Sequence, residues 1–147
     1  DMEVRASSTA TTGAYSSACQ RGLPAILMER GGGGKFTDSE VQAYKQDVKN
    51  IMIRMGLLSG EEVHTVQQKN VTRAEYLEAE TDGLWYPVFS AGDTFAGGAV
   101  LGTVRDIWGN LLREYRADYP GIVLYQTVGL GVKAGDPLIA YGEYVDR

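Results

Sequence analysis

The sequence predicts an α/β segment followed by an all-β domain of the small barrel or barrel-sandwich kind, the second part carrying two internal repeats. Three observations point there. Glycine supplies 19 of the 147 residues and is used unevenly, as one run at Gly31-Gly32-Gly33-Gly34 and then repeatedly through residues 83–142. Val41, Tyr44, Val48, Ile51 and Met55 recur at steps of 3, 4, 3 and 4, which is one face of a helix. Gly92, Phe95, Gly98 and Leu101 match Gly129, Val132, Gly135 and Leu138 at a constant offset of 37.

The elements follow in order. Met2-Glu3-Val4-Arg5 reads as the tail of a strand, and Ser, Thr and Gly over residues 7–13 as a loop leading into a helix. Residues 14–21 read as that helix. Gly22 suits a left-handed residue after its last turn, and Pro24 blocks continuation. Residues 24–29 are a short apolar run closed by glycines, the pattern of a buried strand. Thr37-Asp38-Ser39-Glu40 has capping-box spacing: a hydroxyl for the N3 amide and a carboxylate that reaches back. The helix it opens carries the 41–55 face, which is expected to pack on a sheet, and Gly56 can end it. Residues 59–70 are polar and read as a linker between a first part, 1–58, and a β-barrel domain, 71–147. Within the latter, Gly83-Leu84-Trp85-Tyr86 and Gly121-Ile122-Val123-Leu124 precede the two repeat copies. Neither copy could bury its apolar face alone.

Composition excludes several function classes. Hydrophobic residues are 44% and charged residues 22%, enough for a packed core and too apolar for a disordered chain. The net charge is −5, which argues against a nucleic-acid or anionic-membrane surface. No apolar run approaches the ~20 residues of a membrane span. One cysteine rules out an internal disulfide, and one histidine rules out a zinc site built on two or three histidines of this chain. The opening Asp1-Met2-Glu3 lacks a basic-then-apolar signal pattern.

Glu29 is the leading chemical candidate. The inferred strand carries it at its C-terminal end, running into a glycine loop, and that edge of an open α/β sheet is where ligands bind. On the residues alone, a solvated carboxylate or one paired with Arg30 or Lys35 is the favoured reading. The glycine run before Lys35 is not a phosphate loop, because Glu29 stands where the first glycine would be and Phe36 follows the lysine. Arg5 could bind a substrate carboxylate bidentately or be a plain surface arginine. Cys19 reads as a small buried hydrophobe and His64 as an exposed linker histidine. Ser16 and Ser17 have no histidine nearby in sequence.

Residues 22–32, Gly-Leu-Pro-Ala-Ile-Leu-Met-Glu-Arg-Gly-Gly, resemble the G-[IL]-P-A-[IV]-x-x-E-x-G-G segment of the succinylglutamate desuccinylase/aspartoacylase family. The order that follows is similar too: a helix ending in Met55-Gly56-Leu57-Leu58, a polar linker, then two glycine-punctuated repeats. The resemblance implies the C-terminal portion of a zinc-dependent deacylase on a carboxypeptidase-like scaffold, with residues 1–58 completing the α/β catalytic domain. It implies a small-molecule N-acyl amino acid substrate, and it gives Glu29 the role of proton shuttle between a metal-activated water and the departing amine. It also implies that the zinc ligands, a His-x-x-Glu pair and a later His, lie outside this chain, which alone would be inactive. A cytoplasmic setting without nucleic-acid or membrane partners goes with it, and homo-oligomer formation stays open.

The alternative is a non-catalytic β-barrel module that binds a small ligand or carbohydrate. Trp85, Tyr86, Trp108, Tyr115, Tyr119 and Tyr125 would then form its aromatic platform, or else sit as core and cross-strand pairs. Residues 104–110 match the hairpin that carries the cofactor lysine in lipoyl and biotinyl domains, but contain no lysine. Residues 137–144 read as a terminal strand, from which Tyr141 or Tyr144 could reach a catalytic cleft.

Overall fold

The protein is represented by a computed structural model that describes residues 2–4, 13–64 and 69–146. Arg5, the loop over 7–12 and part of the linker, Gln67 and Gln68 included, lie outside the described residues. The chain divides into two compact units, one of residues 6–66 and one of residues 1–5 with 67–147. The short strand β1 (Met2–Val4) belongs to the second of these units and pairs in parallel with residues 69–71.

In the first unit, α1 (Ala14–Gln20) ends as its glycine suggests. Gly22 has φ +77°, and the Leu23 amide donates to the Ala18 carbonyl at 3.0 Å, closing the last turn. The helix α2 (Asp38–Arg54) starts on the expected box. The Glu40 amide donates to Thr37 Oγ1 at 3.3 Å, while the Thr37 amide donates to Glu40 Oε2 at 2.6 Å. It stops at Gly56, φ +71°, with the Leu57 amide returning to the Met52 carbonyl at 2.8 Å.

No strand forms over residues 24–29, contrary to the sequence expectation. A strand exists only where a neighbour completes its ladder, and no described segment pairs with this one. Ile26 and Leu27, the centre of the expected strand, are 64% and 61% exposed. The sheet that the α2 face was expected to cover is likewise not part of the unit, and Val48 and Met55 are exposed. The polar stretch after α2 is not a free linker at its start. Asn50 holds Val63 through both backbone groups at 2.9 and 3.0 Å, and Arg54 grips Glu62 at 2.6 and 2.8 Å.

The second unit is all β. One sheet runs β1-β2-β9-β7-β4, formed with β2 (Lys69–Glu78), β9 (Pro137–Asp146), β7 (Gly121–Gln126) and β4 (Thr94–Phe95). The other runs β6-β5-β3-β8, from β6 (Leu111–Arg116), β5 (Val100–Arg105), β3 (Gly83–Pro87) and β8 (Gly131–Val132). Apart from β1, every pairing is antiparallel. Among the described residues no ladder joins the two sheets. They share one core, with Trp85, Leu101, Val104 and Tyr115 from one sheet and Phe95, Val123, Leu138, Ile139 and Tyr141 from the other. Fully burying side chains of this size contributes roughly 1.5–3 kcal/mol each.

Leu101 and Leu138 are fully buried, and Phe95 and Val132 lie on the two-residue strands β4 and β8. Gly98 donates to the Ala117 carbonyl and receives support from the Ala117 amide, which donates to Ala99. Gly135 and Asp136 make the same two-way clamp with Ala79. The amide after each alanine then donates to a buried tyrosine: Glu80 to Tyr115 Oη at 2.8 Å and Asp118 to Tyr141 Oη at 3.1 Å.

Candidate functional site

Glu29 sits between α1 and α2 in sequence, on an irregular segment laid against α2. Tyr44 does the attaching. Its hydroxyl donates to the Met28 carbonyl at 2.9 Å and accepts from the Arg30 amide at 2.9 Å. Arg30 reinforces this with Nε on Asp47 Oδ2 at 2.7 Å, a half-buried pair. The side chain of Glu29 itself is exposed, and among the described residues nothing engages its carboxylate. The alternative partners are accounted for differently: Arg30 belongs to Asp47, and no ion pair ties Lys35 to Glu29. The glycines that follow turn the chain tightly. Gly31, Gly33 and Gly34 all have positive φ, and an isolated bridge links Gly32 to Lys35. The arrangement is an exposed carboxylate on a backbone fastened from both sides.

The other sequence candidates each have a setting of their own. Cys19 is exposed rather than buried, its thiol donating to the Ala25 carbonyl at 3.4 Å. The helix presents Ser16 inward in its place, and Ser16 Oγ is used locally on Gly13. Tyr141 cannot reach a cleft: it is fully buried with its hydroxyl spent on Asp118. Tyr144 is half-buried under Lys69, whose Nζ lies 4.0 Å from the ring centre. It lines an open depression of about 630 Å³ with Thr94, Pro120 and Glu143.

The aromatic platform is also dispersed. Trp85 and Tyr115 are core residues in edge-to-face contact, with centroids 5.7 Å apart, and Tyr119 packs against Tyr141. Burial pushes the Tyr119 phenol up to about 12. Only Tyr86, Trp108 and Tyr125 are exposed, on separate elements. Trp108 sits at the β5–β6 tip, which Asp106 makes rigid by accepting from Trp108 and Asn110 amides at 2.9 and 2.8 Å. The Asn110 side chain, followed by those amides, holds the Asp106 carboxyl below its ordinary range.

The residues present do not fit a catalytic zinc site. His64 is exposed, with Nε2 3.1 Å from Glu62, whose two oxygens are already engaged by Arg54. That arginine keeps the Glu62 carboxyl below the usual range. Among the described residues, no three of His, Cys, Asp and Glu assemble to hold a metal ion. No helix of the described residues is long and apolar enough to cross a membrane.

No family model and no curated protein matches the sequence. Solved structures do. The ectoine utilization protein EutE (DoeB) from Ruegeria pomeroyi, in its apo form, matches at 25% identity and TM-score 0.83, over 97% of this chain and 46% of that one. Its product-bound form matches at 26% identity and TM-score 0.85, over 97% and 45%. A succinylglutamate desuccinylase/aspartoacylase from Rhodobacter sphaeroides shares the fold at 22% identity and TM-score 0.79, over 99% and 46%. The chain thus spans a little under half the length of these proteins, and its two units match the C-terminal part of their fold. Its structural neighbours are succinylglutamate desuccinylase/aspartoacylase family proteins.

Proposed function

We propose that this chain is the C-terminal portion of a deacylase that hydrolyses an N-acyl amino acid, with Glu29 as its proton carrier. One observation carries the reading: near-complete coverage of the chain by EutE (DoeB) at 25–26% identity, including the segment that bears Glu29. The names of the neighbours, desuccinylase and aspartoacylase, describe removal of an acyl group from an amino acid. Zinc, which the resemblance implies, would be held by residues outside this chain, since those present do not fit it.

The chemistry available to Glu29 follows from its setting. An exposed, unpaired carboxylate can take a proton from the attacking water as its oxygen bonds to the acyl carbon. The same carboxyl can return that proton to the nitrogen as the C–N bond breaks, leaving a carboxylic acid and a free amine. The adjacent glycines add no side chains to obstruct substrate near the carboxylate.

Two measurements test this. In the full-length gene product, Glu29→Gln should lower kcat for N-acyl amino acid hydrolysis by about 10²–10⁴-fold. Its melting temperature should hold, because the side chain is exposed and unpartnered. Undiminished turnover removes Glu29 from the reaction. The 147-residue chain alone should show neither stoichiometric tight zinc binding nor hydrolysis. One tight zinc per chain together with hydrolysis would overturn the fragment reading.

A further inference from the structure

We infer that Tyr44, seconded by Asp47, is the positioning residue for the Glu29 carboxylate; this rests on the catalytic reading of Glu29 above. The direction in which a side chain leaves the backbone is set by the two peptide planes flanking its Cα. For Glu29 one plane contains the Met28 carbonyl and the other contains the Arg30 amide. A single atom, Tyr44 Oη, bonds both, donating to the first at 2.9 Å and accepting from the second at 2.9 Å. A hydroxyl is suited to this, since it is donor and acceptor at once.

The bond between Arg30 Nε and Asp47 Oδ2, at 2.7 Å, adds a second attachment one residue further on. Tyr44 and Asp47 are three residues apart on α2 and therefore lie on one side of it. The capping box fixes the start of the same helix, about two turns before Tyr44. Without these anchors residues 24–30, which lack any ladder, would have nothing regular to hold them. Glu29 thus gains a fixed origin while its carboxylate keeps the freedom that proton transfer requires. A misplacement of about 1 Å in a reacting group can cost about 10²-fold in rate.

The test is Tyr44→Phe in the full-length protein, run beside Glu29→Gln. The expected result is a ten- to hundredfold loss in kcat with KM unchanged, and faster amide exchange at Arg30, whose acceptor is gone. If Glu29→Gln abolishes turnover while Tyr44→Phe stays within twofold of the parent, the positioning role is wrong and the catalytic role survives. If Glu29→Gln retains turnover, the catalytic reading fails, and the positioning role fails with it even where Arg30 exchange accelerates. Should Tyr44→Phe not fold, Asp47→Asn is the deciding variant, with a smaller kcat loss expected at constant KM; unchanged kcat there overturns the proposal.

Discussion

Replacing Gly102 by alanine puts the packing argument at risk with one methyl group. A Cβ built on Gly102 would lie 2.2 Å from Trp85 Cη2 and 2.7 Å from both Cζ2 and Cζ3. Carbon atoms in comfortable contact stand about 3.5–4.0 Å apart, so the ring or the strand must retreat by more than about 1 Å. Neither has room. Trp85 is 2% exposed, its ring meets Tyr115 edge-on, and its amide is tied to the Leu130 carbonyl at 2.7 Å. The φ of Gly102 is not positive, so the cost is purely one of space. Overpacking of this kind costs about 1–3 kcal/mol, and the depth of the overlap argues for the upper end.

For a β unit of this size, 3 kcal/mol corresponds to roughly 12–24 °C in Tm. Thermal and urea unfolding of the 147-residue chain, followed by tryptophan emission, would report it. A Trp108→Phe background leaves the buried Trp85 as sole reporter, because Trp108 is 81% exposed and Trp85 is not. Gly131→Ala is the control: nothing lies within 4 Å of its added Cβ and its φ is not positive, so it should stay within ~0.5 kcal/mol of the parent. A Gly102→Ala protein as stable as Gly131→Ala would refute the reasoning.

Other outcomes follow from single contacts. Thr37→Ala removes the hydroxyl that receives the Glu40 amide and should cost the α2 unit about 1 kcal/mol, visible as faster exchange at that amide. Tyr119→Phe deletes a buried hydroxyl that has no partner and should leave stability at pH 7 unchanged or slightly raised. At alkaline pH the advantage of the variant grows. Tyr119 titrates near 12 in the folded protein and near its ordinary value of 10.0 when unfolded. Its ionisation therefore leaves stability untouched below pH 10 and lowers it as pH rises toward 12, since the unfolded chain ionises first. Denaturation midpoints across that window should fall less steeply in Tyr119→Phe than in the parent.

What could be read from the sequence was what short stretches decide among themselves. Thr37 and Glu40 recognise each other across three residues, and the Val41-to-Met55 stripe needs only helical geometry, so α2 was legible to its caps. Gly22 and Gly56 likewise act on their own turns. Residues 24–29 were misread because an apolar run says nothing about who lies beside it. The same holds for β1, whose partner is some 67 residues away at Lys69–Val71. Cys19 is exposed where a buried position is expected, because a seven-residue helix has too few turns to define a face. Glu29 is proposed on its glycine-rich surroundings and the family pattern, whereas Tyr44 reads in the sequence as part of the apolar stripe, and its hydroxyl contacts to residues 28 and 30 need the structure.

The strand β9 lies between β2 and β7 and supplies Leu138, Ile139 and Tyr141 to the interior. Both of those neighbours are made before it, yet neither can zip to the other without it. During synthesis, then, the five-stranded sheet must wait with its centre missing until residues 137–146 have cleared the ribosome. Closure links positions as far apart as Lys69 and Asp146, a long search for a nascent chain. A stop codon before residue 137 would not trim an edge but remove the keystone, and proteolytic quality control would be the expected fate of such a product.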